Sequence, residues 1–176
     1  MNRKKVVKKR LNDNQDREMR TKITAKPGER EIIVTRVFDA PRELVFKAYT
    51  DPALIPQWWG PRGYTTIVEK MEVRVGGAWR FINRTPEGNE FGFRGTYREL
   101  VPPQRLVYTF EYEGVPGHVA LETITLEEYS GRTKITDKIL FETVEDRDGM
   151  IKSGMESGAT ESQDRFSELL TEMQRK

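Results

Sequence analysis

The spacing of apolar residues along this chain changes period three times, and each change marks an element. Residues 30–38 (REIIVTRVF) alternate apolar and polar positions and are rich in β-branched side chains, which predicts a strand. Leu44, Val45 and Ala48 then share one face at helical spacing. Asp39 is placed to cap that helix, Pro41 suits its first turn, and Glu43 suits the positive end of its dipole. A second short helix follows: Thr50 or Asp51 caps it, Pro52 opens it, and Gly60-Pro61 stops it.

From Tyr64 to Phe141 the alternation returns. It is broken by turn signals at Gly76-Gly77, Pro86-Glu87-Gly88-Asn89, Pro102-Pro103 and Ser130-Gly131. The stretch EGVPGH, Glu113 to His118, is a looser connection. Strands joined by loops this short are antiparallel neighbours. Thr143 and Asp146 then outline a capping box, and Ile151, Met155, Ala159, Phe166 and Leu170 recur at helical spacing. This predicts one helix of roughly seven turns, or two pieces parted near Gly154.

Side-chain chemistry sets the register of the sheet. Pairing Leu100 with Arg105 places Tyr97 opposite Tyr108 and Gly95 opposite Phe110. Carrying that face across the Pro86 loop places Phe81 opposite Phe93 and Trp79 opposite Gly95. One face then holds Trp79, Phe81, Phe93, Tyr97, Tyr108 and Phe110, and the other holds Arg80, Arg94, Thr96, Arg98 and Thr109. A slip of one residue would turn the aromatic row to water, which selects this register. Through the Ser130-Gly131 hairpin, Leu126 pairs with Ile135, Ile124 with Asp137, and Glu122 with Ile139. Glu122 and Asp137 therefore share the apolar face, diagonal to each other at roughly 7–8 Å.

A sheet with one apolar face and a long helix with one apolar stripe must cover each other. The small residues at mid-helix (Gly154, Gly158, Ala159, Ser162) are expected to face the aromatic row. They leave either a very close approach or a cavity.

Composition narrows the function. The chain has 176 residues, of which 36% are hydrophobic and 10% aromatic, enough for a substantial core. No run approaches 18 apolar residues and no secretory signal opens the chain, so the expectation is a cytoplasmic protein without a membrane span. The absence of Cys excludes disulfides and thiol chemistry. One His is too few for a His-built metal site, so neither metal nor cofactor is expected. Residues 1–22 hold nine Lys/Arg and three Asp/Glu, which leaves 21 and 25 in the remainder. Residues 1–29 therefore read as a basic, disordered extension and residues 30–176 as a mildly acidic domain. A domain charge of −4 argues against nucleic acid as a partner.

Four segments carry a resemblance: FDAPRELVFKAYTDPALIPQWWGPRGY, VGGAWRF, RGTYRELVPPQRLVYTFEY and SGMESGATESQDRFSELL. Together they resemble the single-domain bacterial members of the SRPBCC superfamily, which share the helix-grip fold with START lipid-binding domains and the birch-pollen allergen. The most similar subfamily is the bacterial form of the activator of the heat-shock chaperone ATPase. The resemblance implies an α+β fold with the order β-α-α-β6-α: a curved antiparallel sheet wrapped around a long C-terminal helix, with an internal cavity. Eukaryotic activators carry an additional amino-terminal domain that makes much of the chaperone contact. That domain is expected to be absent here. Other members bind hydrophobic ligands, act as polyketide cyclases or sequester reactive toxins, and no catalytic motif is common to them.

The expected function is therefore binding of a small hydrophobic or aromatic molecule between the sheet and the C-terminal helix. The aromatic row would line the pocket, with Met155 from the helix. The alternative is that these residues only fill the core. Trp58 and Trp59 point about 100° apart, so one anchors the joint between helix and sheet while the other borders the cavity mouth. Glu122 and Asp137 offer an enzymatic alternative, a cofactor-free cyclase or hydrolase, because buried carboxyls acquire raised pKa values suited to proton transfer. His118, placed near the pocket mouth, is a further candidate base. A stress-related module that binds a chaperone is the third class. Monomer and homodimer both stay open.

Overall fold

The computed structural model describes residues 3–176. The chain runs α1 (Arg3–Glu18), β1 (Lys22–Thr24), β2 (Glu31–Phe38), α2 (Arg42–Thr50), a single 3-10 turn (Ile55–Gln57), β3 (Thr65–Met71), β4 (Ala78–Arg84), β5 (Glu90–Val101), β6 (Arg105–Tyr112), β7 (Val119–Tyr129), β8 (Arg132–Leu140), α3 (Val144–Lys152) and α4 (Met155–Arg175). Among the described residues, the strands form one antiparallel sheet in the order β1-β2-β8-β7-β6-β5-β4-β3. This is the expected α+β, helix-grip arrangement of a curved sheet and a long C-terminal helix. No helix of the described residues is long and apolar enough to cross a membrane.

The core lies on the concave face. Phe166 of α4 is 1% exposed, and its ring meets those of Phe38 (5.1 Å), Tyr49 (5.1 Å) and Trp58 (4.6 Å). A second cluster of Ile32, Val34, Ala120, Ile139 and Phe141 lies against Met150, Ile151 and Met155 of the two terminal helices. Thr143 caps α3 by accepting from the Asp146 N–H at 3.0 Å. Gly154 parts α3 from α4 at φ +83°, a conformation that glycine adopts without strain.

Three local expectations are corrected. Asp39 does not cap α2: Pro41 holds that position, and Asp39 lies 3.5 Å from Arg132. Asp51 does accept from the Ala53 N–H at 2.9 Å, but Pro52 and Pro56 each lack a backbone donor. The second helix therefore shrinks to a 3-10 turn. The segment expected to be disordered carries α1, which buries nothing, and β1, which extends the sheet from Lys22. Side chains fasten it. Thr21 donates to Gln163 of α4 at 3.0 Å, and Arg147 of α3 donates to the Lys26 carbonyl at 2.7 Å.

The aromatic register is observed: Trp79 faces Gly95, Phe81 faces Phe93, and Tyr97 faces Tyr108. The far end of β5 differs. A bulge between Tyr97 and Glu99 shifts the pairing, so Leu100 meets Leu106 and Val101 meets Arg105. Regular pairing would have turned Glu99 into the core and Leu100 outward. The extra residue at Arg98 reverses both, so the bulge keeps a charge in water and a leucine in the apolar layer. The β7–β8 hairpin pairs as expected, with Leu126 opposite Ile135, Ile124 opposite Asp137, and Glu122 opposite Ile139.

Candidate functional site

The adjacent tryptophans divide as their spacing requires. Trp58 is 6% exposed, donates from Nε1 to the Ala48 carbonyl at 3.0 Å, and packs edge-on against Phe166 and Tyr49. Trp59 is half-buried and turns the other way, onto Phe81 (5.2 Å) and Phe93 (5.1 Å). The loop after them is clamped from α4. Arg165 donates to the carbonyls of Pro56 (3.2 Å), Trp59 (3.3 Å), Gly60 (2.8 Å) and Pro61 (3.4 Å). Ser162 donates to the Trp58 carbonyl at 3.0 Å and accepts from the Gly60 N–H at 3.3 Å. From the sheet, Thr66 donates to the Trp59 carbonyl at 2.6 Å beside buried Asn83. Ser162 and Gly158 thus serve this loop rather than the aromatic row. A Cβ on Gly158 would have Pro61 at 3.9 Å.

A cavity of about 60 Å³ remains inside the sheet, room for about two waters. Trp79 and Phe81 of β4, Tyr97 of β5, Leu106, Tyr108 and Phe110 of β6, and Glu122 of β7 form its sheet side. Tyr49, Ile55, Trp58 and Trp59 close it. The space expected between the sheet and α4 therefore lies between the sheet and the α2–Trp59 segment. α4 stands one layer behind, reaching Trp58 through Phe166. The cavity is small because the two indoles and Phe81 occupy most of the concave face. A wider groove of about 420 Å³ runs outside α4, along Gln57, Arg165, Glu168, Glu172 and Arg175, but it has no aromatic wall.

Three expected residues stand elsewhere. Phe93 packs against Trp59 and Phe110 without lining the cavity. Met155 packs on the second cluster, near Ile139 and Phe141. His118 is not at the cavity mouth: its side chain is 53% exposed, and Nδ1 lies 2.7 Å from Asp146 at the start of α3.

The carboxyl pair is where the hairpin register puts it. Tyr108 donates to Oε2 of Glu122 at 2.5 Å. Asp137 keeps some exposure as a residue, but its Oδ1 is enclosed without a hydrogen-bond partner. Burial pushes the Glu122 carboxyl up to about 7, against the opposing effect of the Tyr108 hydrogen bond. Burial, and then the charge of Glu122, push Asp137 well above the usual carboxylate range. Tyr49 and Tyr108 are raised by burial first and by both carboxylates next, so the four groups share one electrostatic neighbourhood.

Tyr49 completes this cluster and was missed in the sequence. Its position four residues after Val45, on the inner stripe of α2, was the available signal. Trp79 adds one more polar group: it is 3% exposed, and its Nε1–H, beside Gly95, meets no acceptor.

The model of a family described as Activator of Hsp90 ATPase homolog 1-like protein matches residues 39–171. No curated protein matches the chain. Among solved structures, a protein of Rhodobacter sphaeroides is 29% identical, with 86% of this chain and 98% of that one covered and a TM-score of 0.79. A protein of Arthrobacter aurescens is 25% identical, with 86% and 91% covered and a TM-score of 0.80. The AHSA1 protein of Silicibacter pomeroyi, 21% identical over 80% and 97% at a TM-score of 0.66, shares the fold.

Proposed function

Since this chain belongs to the Activator of Hsp90 ATPase homolog 1-like family, with the matched region running from before α2 into α4, we propose that it binds a small, flat, largely apolar molecule in the aromatic cavity. The observation that carries this reading is polar capacity left unmatched at the cavity: Trp79, one of its walls, has its Nε1 enclosed without a protein partner, and so has Oδ1 of Asp137, in the electrostatic neighbourhood of the wall residue Glu122. Each such group costs about 1–3 kcal/mol when unpaired, a penalty that a core built only to fill space avoids. An apolar pocket with a few convergent polar groups is the usual form of a small-molecule site.

The enclosed volume is well below the roughly 300–1,000 Å³ of drug-sized pockets, so entry requires a wall to move. Trp59 is the wall suited to it. Its ring is half-buried and held by contacts with Phe81 and Phe93, whereas Trp58 is fixed by its hydrogen bond to Ala48. The test is titration with N-phenyl-1-naphthylamine, read by energy transfer from tryptophan, together with native mass spectrometry of the purified protein. Saturable one-site binding, faster in Trp59→Ala than in the parent, is expected. Absence of both probe binding and a co-purifying small molecule overturns the reading.

A further inference from the structure

Glu122 lines the aromatic cavity and Asp137 stands on the same sheet face one strand away, and among the described residues no basic side chain is bonded to either. The cavity walls contain no Lys, Arg or His. Around the pair, α2 contributes Tyr49 and β6 contributes Tyr108, and the acids themselves stand on β7 and β8. On β2, Arg36 shares the inner face opposite Ile135, but its Nη1 is bound to Asp164 of α4 at 2.6 Å and to Thr21 at 3.2 Å. α4 itself brings another acid, Asp164, and Gln163, which accepts from Thr21. Glu122 and Asp137 thus stand without a bonded cation, Arg36 being engaged by Asp164 with its Nε enclosed and unpartnered, whereas buried carboxyls are as a rule paired.

The walls add to this. Faces of Trp, Tyr and Phe rings carry negative electrostatic potential and attract cations, most of all when water is excluded. An independent sign comes from Trp79, which lines the same cavity and whose buried Nε1–H, beside Gly95, meets no acceptor. A ligand that satisfies it carries an acceptor atom as well as a charge.

Resting on the binding role proposed above, we infer that the ligand is an organic ammonium: a compact flat base whose protonated nitrogen donates to Glu122 and Asp137, whose body lies among the aromatic rings, and whose second heteroatom accepts from Trp79. Proton balance follows from the burial of the pair. Burial favours the uncharged form of both carboxyls, so the free pair holds a proton to higher pH than ordinary carboxylates do. When R–NH3⁺ enters, that proton leaves to solvent and the ion pair forms in its place. Affinity for the cation therefore rises with pH, by up to tenfold per unit, across the range in which the pair gives up its proton, which for Glu122 lies at about 7.

The experiment is calorimetric titration of the full chain with 4-methoxybenzylamine and with its neutral isostere 4-methoxybenzyl alcohol, at pH 6 and pH 8, in buffers of different ionisation heat. The amine is expected to bind at least tenfold tighter at pH 8, to release protons, and to lose most of its advantage at pH 6. Glu122→Gln and Asp137→Asn preserve shape, and each is expected to keep alcohol binding while losing the preference for the amine. Trp79→Phe is expected to weaken the methoxy amine more than plain benzylamine. Equal affinity of amine and alcohol at pH 8, or a preference independent of pH, overturns the assignment. If the alcohol alone binds, the binding role stands and the charge assignment falls; if neither binds, both fall. The pH series on the unmodified protein decides the matter even where a variant fails to fold.

Discussion

The two faces of the central strands treat the same side-chain chemistry in opposite ways. On the outer face, Arg80 meets Glu113 (2.6 Å) and Glu69, Arg94 meets Glu111 (2.6 Å), Arg84 meets Glu90 (2.6 Å), and Arg105 meets Glu99 (3.2 Å). On the inner face, Glu122 has only the hydroxyl of Tyr108, and Asp137 Oδ1 has nothing. The outer pairs are arranged for solubility and register, since exposed ion pairs contribute about 0–1 kcal/mol each. The inner acids pay a solvation cost with no partner to offset it. That contrast separates a face built for water from a face built around something it binds.

The comparison can be broken in order of effect. Trp58→Ala removes an interior ring together with its hydrogen bond to Ala48 and its contacts with Phe166 and Tyr49. It should destabilise the protein by about 3–5 kcal/mol in urea unfolding. A loss below about 1 kcal/mol would mean that the concave face is not a packed core.

Glu122→Gln sharpens the contrast through its sign. A carboxyl raised from 4.5 to about 7 keeps its proton in the native state after the unfolded chain has released its own. The contribution of Glu122 to native stability therefore falls as pH climbs from about 4.5 to 7 and is flat above. The variant has no such group and should gain about 2–3 kcal/mol over the parent at pH 8, and little at pH 4. The measurement is the difference between parent and variant unfolding midpoints across that range. A variant weaker than the parent at pH 8 would show that the carboxylate is paired after all.

Arg84→Gln on the outer face should cost less than about 1 kcal/mol, and added salt should erase that difference. A larger, salt-insensitive loss would remove the distinction between the faces.

Much of this was legible in the residues, for stated reasons. The aromatic register could be read because a slip would expose six rings, and the inward direction of Glu122 and Asp137 followed from the short Ser130-Gly131 turn. The edge strand β1 could not be read: it is three residues long, and Thr21 beside it bonds a partner 142 positions away. Tyr49 joins the carboxyls only because α2 lies across β7 and β8. The cavity's size was equally hidden, since it depends on which way two adjacent indoles rotate. The small residues of α4 gave the right hint of close approach but the wrong neighbour, because Arg165 and Ser162 draw the Trp59–Pro61 loop onto that stretch.

The bulge at Arg98 bears on how this gene can change. Substitutions along β5 alter one side chain at a time, and most outward-facing ones leave the strand's polarity intact. Deleting the Arg98 codon would restore an unbroken ladder and leave Glu99 outside and Leu100 inside, whereas deleting a codon away from the bulge would shift the residues on one side of it by one position and turn their side chains to the opposite face. The length of β5 can therefore drop by one residue at the bulge, and elsewhere along the strand it is under tighter constraint than the identity of most residues. Away from the bulge, lineages of this fold can drift in composition along that strand far more freely than in residue count.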